Sequence, residues 1–183
     1  IVANFPRLRI VVEHVSTAAM VEFLQSAPET VGATITAHHL ILTYDKVRVG
    51  GRIVLPHNFC KPVAKWKRDQ SALVRAATSG DPRFWFGSDT APHSRDKKGC
   101  LHPAAGVFSA LVVPSVLAKL FEDANVLDRL EAFWAHYGAD FYDLSRNKGF
   151  LSLKKEPCQV PELIGDVVPF LAGQTLDWQV VVT

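Results

Sequence analysis

The sequence predicts an α/β fold built on parallel strands, and three observations predict it. Short apolar runs alternate with amphipathic stretches in the order strand, helix, strand, helix, strand, helix, the pattern of a parallel sheet. Two of those runs end in residues able to do chemistry, Glu13-His14 and Ser88-Asp89, at the strand ends where such folds place their sites. From His14 to Asp89 is 75 residues, close to two βα units of an eight-unit barrel of roughly 250 residues. Three units cannot close a barrel, and the chain opens on Ile1 just before a strand. The expectation is the C-terminal part of a (β/α)8 barrel. Residues 1–183 would then be the C-terminal portion of a single domain whose N-terminal portion precedes Ile1.

Taken in order, Phe5–His14 (FPRLRIVVEH) is an apolar, β-branched run that reads as a buried strand. Alternation puts Ile10, Val12 and His14 on one face and Glu13 on the other. Ser16-Thr17 offer an N-cap for a helix over Ala18–Gln25, with Met20, Val21 and Leu24 on its packing side. Val31–Ile35 is the second strand. Leu40–Pro62 shows no helical period and is punctuated by Gly50-Gly51, Pro56 and Pro62, so it reads as a long loop, which in a compact domain is usually functional. A helix is expected over Val63–Ser79, packed through Val63, Trp66, Leu73, Val74 and Ala77 and closed by Gly80. Phe84–Phe86 is the third strand, followed by a Gly- and Pro-containing loop, Thr90–Gly106. A helix over Val107–Asp123, interrupted or restarted near Pro114, and an amphipathic helix over Val126–Tyr137 complete the units. After Gly138 the chain is polar and irregular, with an edge strand or cover expected in Pro169–Val182.

Composition limits the function classes. With 48% hydrophobic and 21% charged residues, the 183-residue chain reads as one globular core. Its net charge is only +2, and the basic residues are scattered without an aromatic-basic stripe, so no nucleic-acid partner is expected. Cys60, Cys100 and Cys158 lie far apart with no CxxC, which suggests neither a disulfide framework nor a structural zinc knuckle and fits a reducing, cytoplasmic setting. The longest apolar runs, such as Val107–Val113, fall short of a membrane span, so no membrane partner is expected.

The central stretch is Arg83–His93, RFWFGSDTAPH, in which a strand delivers a carboxylate at its end and an imidazole four residues later. Alone, the motif is a weak signal, and Asp89 reads first as the cap of the following turn. Among the histidines, His136 sits on an amphipathic helix and carries little weight; His38, His39 and His57 read best as loop-packing or supporting residues. His14 ends a buried strand on its inward face, from which a neutral imidazole can reach a metal. A His and an Asp two strands apart would open into one mouth, where N and O donors suit Zn²⁺. Two ligands are too few for a catalytic zinc, which usually takes three from protein plus water.

Several segments then fall into one order: VVEHVST (Val11–Thr17), ATIT with the following His39-Leu40, VGG (Val49–Gly51), PHNFCKP (Pro56–Pro62), FGSDTAPH (Phe86–His93), AGVF (Ala105–Phe108), ADFYDL (Ala139–Leu144) and VPFLAGQTLDW (Val168–Trp178). This series resembles the C-terminal half of dihydroorotase of the monofunctional bacterial and fungal type, in the amidohydrolase superfamily. The resemblance implies a zinc-dependent hydrolase that interconverts N-carbamoyl-L-aspartate and dihydroorotate in pyrimidine synthesis. It implies His14 as a zinc ligand at the end of barrel strand six, and Asp89, at the end of strand eight, as a ligand and proton shuttle. His93 would hold the substrate carboxylate, and Ala105 and Lys61 would meet the pyrimidine ring through backbone groups. The family usually has an apolar residue where Lys61 stands, and Lys97–Ala104, with His102, departs from the bacterial pattern. Two zinc ions are implied, and the carboxylated lysine that bridges them, the other His ligands and the Arg and Asn substrate contacts would lie before Ile1. The partners implied are the small-molecule substrate, the N-terminal half of the same barrel and a second copy in a homodimer. The 183 residues alone are expected to be inactive. Two other readings are a catalytically silent dihydroorotase-like scaffold of a transcarbamoylase complex and a cyclic amidohydrolase of hydantoinase or allantoinase type.

Overall fold

The computed structural model describes residues 1–181. Three parallel strands form its central sheet in chain order, β1 (Ile10–Val12), β2 (Val31–Ile35) and, after intervening elements, β5 (Phe84–Phe86). Val11 faces Gly32 and Ala33 faces Phe84 across the two ladders, so all three strands end at the same rim. All five residues of β2 are buried, as expected of a strand covered on both faces.

Helix α1 (Ala18–Ser26) starts where Thr17 Oγ accepts the amide of Met20, and it buries Val21 and Leu24. Its last carbonyls, Leu24 and Gln25, accept from the guanidinium of Arg83, which Asp81 holds in place. A short helix, α2 (Ala37–Ile41), follows β2 directly; a tight hairpin, β3 (Arg48–Val49) and β4 (Arg52–Ile53), turns through Gly50 and Gly51 at φ 54° and 79°. The stretch read as a plain loop from Leu40 to Pro62 therefore carries structure of its own, in pieces too short to show a period.

Helix α3 (Lys67–Thr78) begins four residues later than expected, with Trp66 exposed. The reason is Asp69, buried at the starts of two helices: one oxygen accepts from the Ala18 amide at 2.9 Å and the other from the Trp66 amide at 3.3 Å. A one-turn helix, α4 (Arg95–Lys98), interrupts the loop after β5. Helix α5 (Val113–Asp123) begins at Val113 rather than Val107, because the amides of Ser109 and Ala110 are taken by the Thr90 hydroxyl and Val107 bridges Thr90 in parallel. Pro114 sits in its first turn, where no amide is needed.

The stretch Val126–Tyr137 forms a 3₁₀ turn (Leu127–Arg129) and a π-helical turn (Ala132–His136) before α6 (Tyr137–Phe141), rather than one regular helix. It packs on β5: Trp134 lies 5.7 Å from Phe86, and Phe141 lies 4.8 Å from Trp85, between ring centroids. The tail makes two small antiparallel pairs, β6 (Ser152–Lys154) with β9 (Gln179–Val181) and β7 (Cys158–Gln159) with β8 (Thr175–Leu176). This is the cover expected in Pro169–Val182, whose final residue, Val182, lies outside the described residues. Three parallel strands that end at one rim, with helices between them, are the arrangement of part of a (β/α)8 barrel.

Candidate metal and catalytic site

At the C-terminal rim of the sheet, β1 turns sharply. His14 has φ 55° and, beyond β5, Asp89 has φ 39°, left-handed conformations that few non-glycine residues adopt and that cluster at functional sites. The two turns aim their side chains at each other, with His14 Nε2 3.8 Å from Asp89 Oδ1. Each side chain keeps about a quarter of its surface exposed, 24% and 27%.

Thr34, inside β2, supports this pair. Its hydroxyl donates to Glu13 Oε2 at 2.6 Å, and the same oxygen accepts the His14 backbone N–H at 2.8 Å. With its proton committed to Glu13, the Thr34 oxygen can only accept from the His14 ring, whose Nδ1 stands 3.4 Å away. That places the ring proton on Nδ1 and leaves the Nε2 lone pair facing the Asp89 carboxylate. Glu13 and His14, which alternation separated onto two faces, thus meet at one hydroxyl, because the turn at His14 departs from strand geometry.

A lone pair opposite a carboxylate calls for a cation between them. The donor set, one imidazole nitrogen and one carboxylate oxygen, is that of zinc. Two ligands at about 2.0–2.1 Å from a tetrahedral ion stand about 3.4 Å apart, close to the observed 3.8 Å. Among the described residues, no hydrogen-bond donor is directed at either Asp89 oxygen. The residues present fit a metal ion.

His38, the first histidine of α2, also reaches the pair. It is fully buried, neither ring nitrogen has a hydrogen-bond partner among the described residues, and its Nε2 lies 3.9 Å from Asp89 Oδ2. Burial, together with His39 and His14 nearby, lowers its pKa from 6.5 to about 2, so the ring is neutral. His38, His39 and Cys60 form a second group whose ligand atoms lie within 4.8 Å of one another. His39, however, already uses both nitrogens, Nδ1 with Thr36 Oγ1 at 2.7 Å and Nε2 with the Pro62 carbonyl at 2.8 Å. Burial pushes the Cys60 thiol up to about 11, so it is not a thiolate near neutral pH. This group serves first as a hydrogen-bonded brace under α2.

The other sequence-predicted residues fall into two joined loops. His93 Nε2 lies 3.0 Å from the Ala105 carbonyl, and the amide of Gly106 donates to the Phe59 carbonyl at 2.8 Å, two residues before Lys61. Lys61 itself is exposed. Held by a carbonyl, Nε2 of His93 carries a proton; a second N–H, from Nδ1, is available only from the imidazolium. Sequence reasoning did not single out Thr34 or the contact of His38 with Asp89. Thr34 lies in a strand buried throughout, where a threonine reads as packing, and nothing in the local pattern marks its two partners 20 and 21 residues upstream.

No protein-family model matches the chain. It is 46% identical to the dihydroorotase of Teredinibacter turnerae over 184 residues, covering 98% of this chain and 53% of that protein. Among solved structures, dihydroorotase from Saccharomyces cerevisiae, in complex with 5-fluoroorotic acid, superposes with a TM-score of 0.88 at 35% identity over 98% of this chain and 53% of that one. Dihydroorotase from Campylobacter jejuni superposes with a TM-score of 0.87 at 43% identity, again over 98% and 53%. The chain spans about half the length of the relatives it matches.

Proposed function

We propose that residues 1–183, similar along their length to about half of each of those dihydroorotases, supply the C-terminal portion of one amidohydrolase-type barrel domain. The complete protein would interconvert N-carbamoyl-L-aspartate and (S)-dihydroorotate in de novo pyrimidine synthesis. The observation that carries this reading is the convergence of the His14 Nε2 lone pair on the Asp89 carboxylate at the rim where β1 and β5 end. The yeast enzyme's 5-fluoroorotic acid, a carboxylated pyrimidine, is the same class of ligand.

In this reading His14 and Asp89 would hold zinc, with a carboxylated lysine of the N-terminal half as a further ligand. Bound there, the metal would supply a Lewis acid for the amide carbonyl and acidify a water nucleophile. Asp89 takes the proton of the attacking water and delivers it to the ring nitrogen as the C–N bond breaks; in the reverse direction it takes the proton from that nitrogen. Thr34 keeps the His14 ring in the tautomer that leaves Nε2 unprotonated. His93, anchored through Nε2 to the Ala105 carbonyl, turns Nδ1–H of its charged form to the substrate carboxylate. Main-chain groups of Lys61 and Ala105 bracket the ring. The enzyme is cytoplasmic and works as a homodimer in this reading, and the N-terminal half of the barrel is the partner that completes the site.

Asp89→Asn in the complete protein tests the assignment, since the amide oxygen can still coordinate while no longer accepting a proton. Turnover should fall on the order of 10²–10⁴-fold with metal content retained. Activity within tenfold of the parent would sink the shuttle role. A parent protein that binds metal but does not open dihydroorotate would sink the substrate.

A further inference from the structure

Lys98, the last residue of α4, is only 3% exposed. Its Nζ donates to three backbone carbonyls, Phe59 at 3.1 Å, Ala104 at 3.0 Å and Gly106 at 2.6 Å. No carboxylate among the described residues forms an ion pair with it. Burying an ammonium in this way is costly, and it persists because all three of its protons are matched by acceptors.

Those carbonyls flank the two loops of the site. Ala104 and Gly106 enclose Ala105, and Phe59 stands two residues before Lys61. The same loops are tied by Gly106 N–H to Phe59 at 2.8 Å and by Ala104 N–H to Lys97 at 3.0 Å. Gly106 has φ 148°, and a Cβ there would stand 2.7 Å from the Ala91 carbonyl oxygen, so the backbone is fitted closely around the ammonium's ligands. Lys98 also lines a cleft of about 970 Å³ with Arg48, Arg52, Lys61 and His102, and no acidic side chain lines that cleft.

We propose that Lys98 is a positioning residue, an internal ammonium that sets the spacing of the Lys61 and Ala105 main-chain groups and through them the affinity for a cyclic imide or ureide ring. The inference rests on the assignment of those two backbone groups to the ring under the proposed function. It goes beyond that assignment by naming the side chain that fixes them. A neutral residue of similar length keeps the packing and loses the three donors. The loops would then lose their common anchor while the His14–Asp89 pair, held from Thr34, is untouched. Burial lowers the Lys98 pKa to about 8, which is the cost of holding a cation where carbonyl dipoles compensate it.

The test uses the complete, metal-loaded enzyme with Lys98→Met and Lys98→Gln, the second keeping two donors. For Lys98→Met, the KM for dihydroorotate should rise at least tenfold with kcat within threefold and metal content unchanged, and amide exchange at Gly106 should quicken tenfold while β1 and β2 stay protected. Lys98→Gln should fall between Lys98→Met and the parent. An unchanged KM despite faster exchange, or a loss confined to kcat, overturns the inference, as does failure of both variants to fold. A parent that does not turn over dihydroorotate while Gly106 exchange still depends on Lys98 marks failure of the proposed function instead.

Discussion

At Thr34 one hydroxyl proton goes to Glu13, and the oxygen left behind fixes the tautomer of His14. Thr34→Val keeps the shape of the strand and removes that control. Metal affinity of the complete protein, read by chelator competition, should drop about 10–100-fold, with Thr34→Ser restoring most of it; an unchanged affinity would mean the ring is oriented by other means. His39 sets a pH dependence. Burial lowers its pKa from 6.5 to about 4, so between those values the unfolded chain binds a proton that the folded chain refuses. Stability contributed by the neutral ring is therefore complete above about 6.5 and falls as pH drops toward 4, by up to ~1.4 kcal/mol per pH unit. Urea midpoints of metal-stripped protein should be lower at pH 5 than at pH 7, and equal midpoints would contradict it. The thiols divide in the same way: exposed Cys100 should react with alkylating reagents at neutral pH in the native protein, and buried Cys60 only after unfolding.

Among the elements, β1 is only the half-buried Ile10–Val12 of the run Phe5–His14 read as a buried strand, its Phe5 and Leu8 being exposed, whereas β2, β5 and α1 were legible in the sequence because each joins an apolar run of the right length to a cap or turn signal, Thr17 for α1 and Gly80 after α3. The late starts of α3 and α5 were not. Apolar residues from Val63 and from Val107 continue a helical pattern equally well, and only Asp69 and Thr90, which claim the amides at those points, decide that the chain enters the helix later. The stretch Leu127–Phe141 keeps its amphipathic faces while passing through 3₁₀ and π turns, because Phe133 and Trp134 must both reach neighbouring rings. The sheet is equally exacting at Gly32, where a Cβ would lie 2.3 Å from the ring of Trp85. Gly32→Ala should destabilise the complete protein by roughly 1–3 kcal/mol, seen as a lower denaturant midpoint.

For the whole molecule, the sheet's order leaves β1 and β5 each with a single ladder neighbour among the described residues, β2. Phe5, Leu8 and Phe23, near β1 in sequence, are exposed apolar side chains, and open strand edges invite association. Produced alone, residues 1–183 should self-associate in size-exclusion chromatography and show no dihydroorotate turnover; a monodisperse monomer would show that these edges are tolerated in water. The barrel class was legible from three βα units and the spacing of His14 and Asp89, and the pairing of those two residues is where the sequence reading and the coordinates meet most closely. What escaped it were the supports Thr34 and Lys98 and the contact of His38 with Asp89, whose partners are distant in the chain or are backbone carbonyls that leave no trace in residue types.

The left-handed torsions of His14 and Asp89 constrain how the rim can be altered. Alanine at either position removes a donor and also installs a side chain ill suited to that bend, so its phenotype mixes two losses. Asparagine is at home there. Comparing alanine with asparagine at each position would divide the damage into lost coordination and a distorted corner, and natural variants that keep this corner should draw on a short menu of His, Asp, Asn and Gly.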